Sequence, residues 1–403
     1  MLEVEKPSRR RRKRKSSGLS GLALSCSLVL ALLLVFNKVG WPHVLGSFVE
    51  RESDLGSVDG AHLDGSGEEE VNGIEPQDPD EDQLALLKPN ELGKVMIIMY
   101  HDVQEKESEW VRSRENFRKD LERFYELGYS LIPLNSYLSG VINVPAGRAP
   151  LILTFDDGTP GQLKTIERDG VTVPDPDCAV GILMEFSKEH PEFGHAATFY
   201  VDYPTPFGDP YRIKENLDFL IENGMEIGNH TYSHRNLQGV SPDVVAEEIG
   251  RLANKIKEIS RYETKSLALP YGGYPPSKEN LGSGQWDGQD YVNLGVLLVG
   301  AEAAPSPFSS KFNPMAIPRI RGSSEELDKW LTYFQEYPER RFVSDGQAGV
   351  VTIPREDDAQ PAHRQSVEGQ SDLPHPDLDL ARVGDRRVET YRLPDSETET
   401  KTH

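Results

Sequence analysis

Leu151-Ile152-Leu153-Thr154-Phe155-Asp156-Asp157-Gly158 is the stretch whose reading decides the fold. Its apolar residues run on without polar alternation, the pattern of a strand buried on both faces, as in a parallel sheet covered by helices. It ends in two adjacent carboxylates, which are costly to bury unless paired or bound to a metal. Asp-Gly is also a common turn pair, so by itself the motif leaves a turn and a site both open.

Outward from this strand the same punctuation repeats. Val95–Met99, Ala197–Val201, Met225–Gly228, Ser266–Leu269 and Val296–Val299 read as further buried strands. Between them Phe117–Leu127, Ile182–His190, Ile213–Asn223 and Pro242–Arg261 read as amphipathic helices, the last with Pro in its first turn after Ser241. Six or seven such units over residues 94–354 predict an α/β fold, a distorted or incomplete (β/α) barrel. In that architecture the chemistry collects where strands end and loops begin.

Two later strand ends are also polar. Gly228-Asn229-His230-Thr231-Tyr232-Ser233-His234 sets two imidazoles four residues apart, on one side of a helical turn, where they can chelate one ion. The Glu of the helical zinc-protease motif is missing between them. Leu267-Ala268-Leu269-Pro270-Tyr271-Gly272-Gly273, taken alone, is a strand followed by a Pro/Gly turn.

Together the three segments resemble the polysaccharide deacetylases of carbohydrate esterase family 4, the nodulation-deacetylase-like domain. Thr154–Gly158 matches the family's first motif, His230–His234 its second and Pro270–Gly272 part of its third, in the same order. The resemblance implies a divalent metal, usually zinc, on Asp157, His230 and His234. It also implies Asp156 as catalytic base and the backbone N–H of Tyr271 as a donor to the oxyanion. The implied reaction is hydrolysis of an N-acetyl group from a cell-surface or extracellular glycan, such as peptidoglycan or a poly-N-acetylglucosamine-like polymer.

The chain departs from the family pattern in three places. Ala268 stands where the third motif often has an Arg that orients the base. No late Leu-x-His follows Val296 to protonate the leaving amine; Arg319 in Ala316-Ile317-Pro318-Arg319 is the nearest counterpart, and a guanidinium is a poor proton donor. His101, ending the first strand in Met99-Tyr100-His101-Asp102, is the other candidate for that acid, or else a structural residue of the barrel end. Asn229 reads as a residue that orients the loop. Thr159–Asp177 is longer than an ordinary β/α connection and forms either a groove wall or an inert insertion. Trp286 and Tyr291, in and beside the Gly-rich Gly282–Gln289, either stack on sugars or pin that loop down.

Charge divides the remainder of the chain. The formal net charge is −22, yet residues 1–36 carry eight basic and two acidic side chains, so the body is more acidic still. An acidic body argues against a nucleic-acid partner. Residues 1–18 hold the basic run Arg9–Lys15, and residues 19–36 are apolar over nearly the length of a bilayer crossing. The expectation is a single-pass membrane anchor with a cytoplasmic N-terminus and an extracytoplasmic domain; a cleaved signal peptide is the rival. Residues 37–93 read as an acidic disordered linker and residues 355–403 as a disordered tail. Cys26 and Cys178 form no disulfide framework. Two other functions fit the barrel: a non-catalytic glycan-binding module, and a metal-dependent hydrolase of a different amide.

Overall fold

The computed structural model describes residues 79–300, 302–355 and 375–393. Eight parallel strands form its centre: β1 (Met96–Tyr100), β2 (Tyr129–Leu131), β3 (Ala149–Phe155), β4 (Thr198–Val201), β5 (Glu226–Asn229), β6 (Ser266–Ala268), β7 (Gly295–Leu297) and β8 (Ile320–Arg321). The sheet runs β7-β6-β5-β4-β3-β1-β8, with β2 beside the start of β3. Its two edges nearly meet. Leu297 of β7 forms a parallel bridge with Ile317, three residues before β8 pairs with β1. The short segment 317–321 is therefore the seam of a distorted barrel, as the sequence predicts.

Both faces of β1 to β7 are buried, which is why the runs lack polar alternation. Met96, Ile98 and Tyr100 of β1, with Leu151, Leu153 and Phe155 of β3, join a core with helices α1 (Arg114–Glu126), α2 (Ala179–Glu189) and α3 (Ile213–Glu222). The alternate residues Ile97, Ile152, Tyr200, Ala268 and Leu297 form a second core on the other face. Phe155 and Phe199 stack across neighbouring strands at 4.9 Å, tying β3 to β4. Gly228 is required where it stands: an added Cβ would lie 2.2 Å from the Tyr200 ring. Helix α4 (Pro242–Ser260) covers the far end of the sheet, with Val245 and Ile249 packed against Leu267 and Val296.

The structure differs from the sequence expectation at several points. Part of the expected linker is ordered: Glu81–Leu87 is a helix with a capping box between Asp80 and Gln83, and Leu84 is buried. Part of the expected disordered tail is ordered too. Arg387–Tyr391 pairs in parallel with Val350–Pro354, and Leu378, Val383 and Tyr391 are buried. The few apolar residues of that tail suffice because they complete an existing core. Helix α5 (Ser324–Glu336) has no counterpart in the sequence reading, although Leu327, Trp330, Leu331 and Phe334 carry the spacing of a buried helical face. The long Thr159–Asp177 connection contains an antiparallel hairpin, Thr165–Arg168 with Val171–Pro174. The expected anchor at residues 19–36 lies outside the described residues, among which no helix is long and apolar enough to cross a membrane.

Candidate active site

Every sequence-predicted site residue falls at the carboxyl ends of the strands or in the seam. Asp156 and Asp157 follow β3, His230 follows β5, His101 follows β1, and Arg319 lies between Ile317 and β8. His230 and His234 are not on a helical turn. Thr231 (φ 63°) and His234 (φ 53°) adopt left-handed backbone, and that reversal brings the two imidazoles to 5.0 Å between ring centroids. Asp157 (φ 73°) and Tyr271 (φ 57°) share this unfavourable conformation for non-glycine residues. Such strain persists only where the surroundings enforce it. Here Asn229 Oδ1 accepts the Thr231 N–H at 2.9 Å, while its amide donates to the Ile249 carbonyl of α4 at 2.9 Å. Ser233 donates from its backbone N–H (2.9 Å) and hydroxyl (2.7 Å) to Glu248. Asn229 thus orients the loop, in line with its sequence reading.

Asp157 Oδ1 lies 3.2 Å from His230 Nε2 and 3.0 Å from His234 Nε2. His230 Nδ1 lies 2.8 Å from the Ala268 carbonyl, which can only accept, so Nδ1 carries the hydrogen. With Nδ1 committed to that carbonyl, His230 Nε2 faces the carboxylate oxygen, a contact that needs positive charge, either a proton on Nε2 or a cation between the partners. A divalent cation meets that need: bonds of ~2.0–2.1 Å at tetrahedral angles would separate two ligand atoms by roughly 3.3 Å. One ligand atom from each of Asp157, His230 and His234 lies within 4.8 Å of the others. Burial pushes the Asp157 carboxyl up, but the two imidazoles facing it outweigh this and hold it well below the usual carboxylate range. The Asp157 carboxylate in turn raises the His234 imidazole. Burial raises the neighbouring Asp202, which the sequence reading did not single out.

Asp156 is 1% exposed and faces Arg319, which is wholly buried. The guanidinium forks onto it, Nη1 to Oδ1 and Nη2 to Oδ2, each at 2.7 Å. Arg319 also donates to Thr154 Oγ1 at 3.1 Å and to the Leu298 carbonyl at 2.9 Å. Burial alone would push the Asp156 carboxyl up; Arg319 overrides it, and the net shift is downward. The sequence weighed Arg319 as a stand-in acid. In the structure its guanidinium instead partners Asp156, reaching it from the seam, whereas Ala268 offers no such group. Ala268 contributes its carbonyl to His230.

His101 packs its imidazole against Trp110 at 4.6 Å, and the Arg321 guanidinium lies 3.9 Å from the Trp110 ring. Burial lowers the His101 imidazole below its ordinary value, against the opposing pull of Asp156 and Asp157. Tyr271 is 70% exposed, and its ring meets His234 edge-on at 4.8 Å. Of the two loop aromatics, Tyr291 is buried and pins its hairpin through a hydroxyl bond to the Asn280 carbonyl at 2.7 Å. Trp286 stays half-buried.

Residues 143–283 match the polysaccharide deacetylase family profile. The candidate polysaccharide deacetylase YxkH of Bacillus subtilis is 21% identical over 255 residues, 63% of this chain and 80% of that protein. The peptidoglycan-N-acetylglucosamine deacetylase of Bacillus cereus is 30% identical over 129 residues, 32% of this chain and 38% of that protein. The Streptococcus pyogenes deacetylase PplD, solved in complex with acetate, superposes with a TM-score of 0.44 at 19% identity, over 59% of this chain and 97% of that one.

Proposed function

We propose that the chain, whose residues 143–283 match the polysaccharide deacetylase profile, is a hydrolase of that family and removes N-acetyl groups from an extracytoplasmic glycan. The observation that carries the reading is the pairing of two unlike carboxylates. Asp157 faces two imidazoles, and its neighbour Asp156 is kept ionised by a forked, buried Arg319. A binding module has no need for such a base beside a cation site.

Asp157, His230 and His234 would hold a divalent ion, zinc by the donor set. Such an ion supplies a Lewis acid for the acetyl carbonyl and makes water easier to deprotonate. Asp156 takes a proton from the attacking water; the fork to Arg319 fixes its carboxylate plane and leaves lone pairs free to accept. The water oxygen bonds to the acetyl carbon, and the carbonyl oxygen gains negative charge. The Tyr271 backbone N–H is the proposed donor to that oxygen. The proton taken up by Asp156 passes to His101, neutral in the resting site, and the imidazolium so formed gives it to the sugar nitrogen as the C–N bond breaks, leaving a free amine and acetate.

Peptidoglycan or a poly-N-acetylglucosamine-like polymer fits an enzyme held outside the membrane by residues 19–36, with the basic run Arg9–Lys15 left in the cytoplasm. Metal analysis of the full-length protein, combined with acetate release from N-acetylglucosamine oligomers and peptidoglycan, tests the proposal. Asp156→Asn should keep the metal and lose turnover, whereas His230→Ala should lose both. A metal-loaded wild type that releases no acetate from any glycan would sink it. Fractionation of cells expressing the full chain, or a chain starting at residue 37, tests the anchor.

A further inference from the structure

A groove of about 630 Å³ opens beside the metal-ligand loop, between α4 and the hairpin Ser283–Trp286/Gln289–Val292. Tyr203, Tyr232, Arg251, Asn254, Lys255 and Trp286 are among the residues that line it. Tyr232 lies in the chain between His230 and His234, so one wall of the groove is the back of the loop that carries both imidazoles.

Three features of the groove point to a ligand. Arg251, Asn254 and Lys255 share one face of α4 by their spacing. The Arg251 guanidinium sits 3.8 Å from the Tyr232 ring, has no hydrogen-bond partner among the described residues, and comes no nearer than 4.0 Å to an acid, Glu247. Lys255, by contrast, is paired with Glu258 at 2.9 Å. Second, the Trp286 ring is half-buried yet stacks on no ring or cation, and its indole N–H meets no acceptor, among the described residues. Its backbone is nonetheless held firmly: Asn254 donates to its carbonyl at 3.1 Å, and α4 has Gly250 where a Cβ would come within 2.4 Å of the Trp286 Cβ. Third, the protein's net charge of −22 repels anions in general, so an available guanidinium marks a place where one can be held.

We propose that this groove is a second glycan-binding site, for a sugar unit bearing a carboxylate or a phosphate. The ring face lies on Trp286, and the anionic group is taken by the Arg251 guanidinium with Lys255 beside it. An aromatic platform and an adjacent fork of donors are the two parts such a unit requires. The inference rests on the deacetylase reading for its polymer: a glycan chain reaching past the His230–His234 loop would present its next units here.

The test measures binding apart from turnover. In the full-length Asp156→Asn protein, affinity is measured by calorimetry for three oligosaccharides of equal length. One is the neutral N-acetylglucosamine oligomer, one alternates N-acetylglucosamine with N-acetylmuramic acid, and one carries phosphodiester groups. At least one anionic oligomer should bind about tenfold or more tightly than the neutral one, and the preferred probe identifies the group. Arg251→Gln, on an exposed helix face, should remove that preference while changing neutral-oligomer affinity less than twofold. Raising salt from 0.05 to 0.5 M should weaken anionic binding in the parent and much less in Arg251→Gln. Trp286→Ala should weaken all three probes.

Equal affinity for neutral and anionic probes, or a preference that survives Arg251→Gln, overturns the inference. Acetate release by the protein with Asp156 intact is scored separately. Turnover without an Arg251-dependent preference defeats only the groove. An Arg251-dependent preference without turnover on any glycan defeats only the deacetylase reading.

Discussion

Arg319→Met removes the positive half of a wholly buried ion pair while keeping most of its bulk. The side chain makes four hydrogen bonds, two of them 2.7 Å bonds to Asp156. Breaking a buried pair from one side costs about 3–5 kcal/mol, because the remaining charge is stranded. The variant has one escape, protonation of Asp156. From an ordinary carboxylate value of ~3.9, that costs about 4 kcal/mol at pH 7 and under about 1 kcal/mol at pH 4.5. The sign is therefore definite. In the parent, Asp156 is depressed when folded, so its contribution is present above the unfolded value and is lost only as pH falls through the folded one. In Arg319→Met burial is opposed only by the His230 and His101 imidazoles, the folded value rises, and the variant loses stability as pH rises from about 4.

Urea unfolding in chelator, which removes any contribution from bound metal, should show a gap of about 3–4 kcal/mol at pH 7. That gap should shrink to about 1–2 kcal/mol at pH 4.5, the remainder being the lost bonds to Thr154 and Leu298. Asp156→Asn combined with Arg319→Met should flatten the pH dependence. A gap unchanged between pH 4.5 and 7 would refute the reasoning, since it would mean that Asp156 carries no stranded charge.

His101→Gln should retain metal and lower kcat on an N-acetyl sugar by about 10²–10⁴-fold. It should spare an activated phenyl acetate, whose leaving group needs no proton; equal loss on both substrates would remove His101 from the acid role. Glu91 is buried beside Ser344 and Thr352, and burial first, then Asp345, raises its carboxyl well above the ordinary value. A raised folded value means that stability falls as pH climbs from about 4.5, so Glu91→Gln should match the parent near pH 4 and exceed it by about 1–2 kcal/mol at pH 8 in thermal unfolding. Gly250→Ala should destabilise by about 1–3 kcal/mol despite the better helix propensity of Ala, because its Cβ meets Trp286. A neutral or higher melting temperature would show that the hairpin moves aside freely.

The sequence alone determined the parallel α/β plan and most of the site. Long apolar runs such as Leu151–Phe155 allow few alternatives once both faces must be buried, and Asp156, Asp157, His230 and His234 are bound to strand ends by sequence adjacency. What it left undecided depends on contacts between residues far apart in the chain. The seam is too short to show a pattern: Ile320–Arg321 is a strand only because β1 pairs with it. Arg319 was legible as a residue near the site but not as the partner of Asp156, since a fork across 163 positions follows from barrel closure and not from spacing. The ordering of residues 387–391 likewise requires the waiting edge at Val350–Pro354. The sequence named the two carboxylates; the folded barrel made them different, by giving one an arginine and the other two imidazoles.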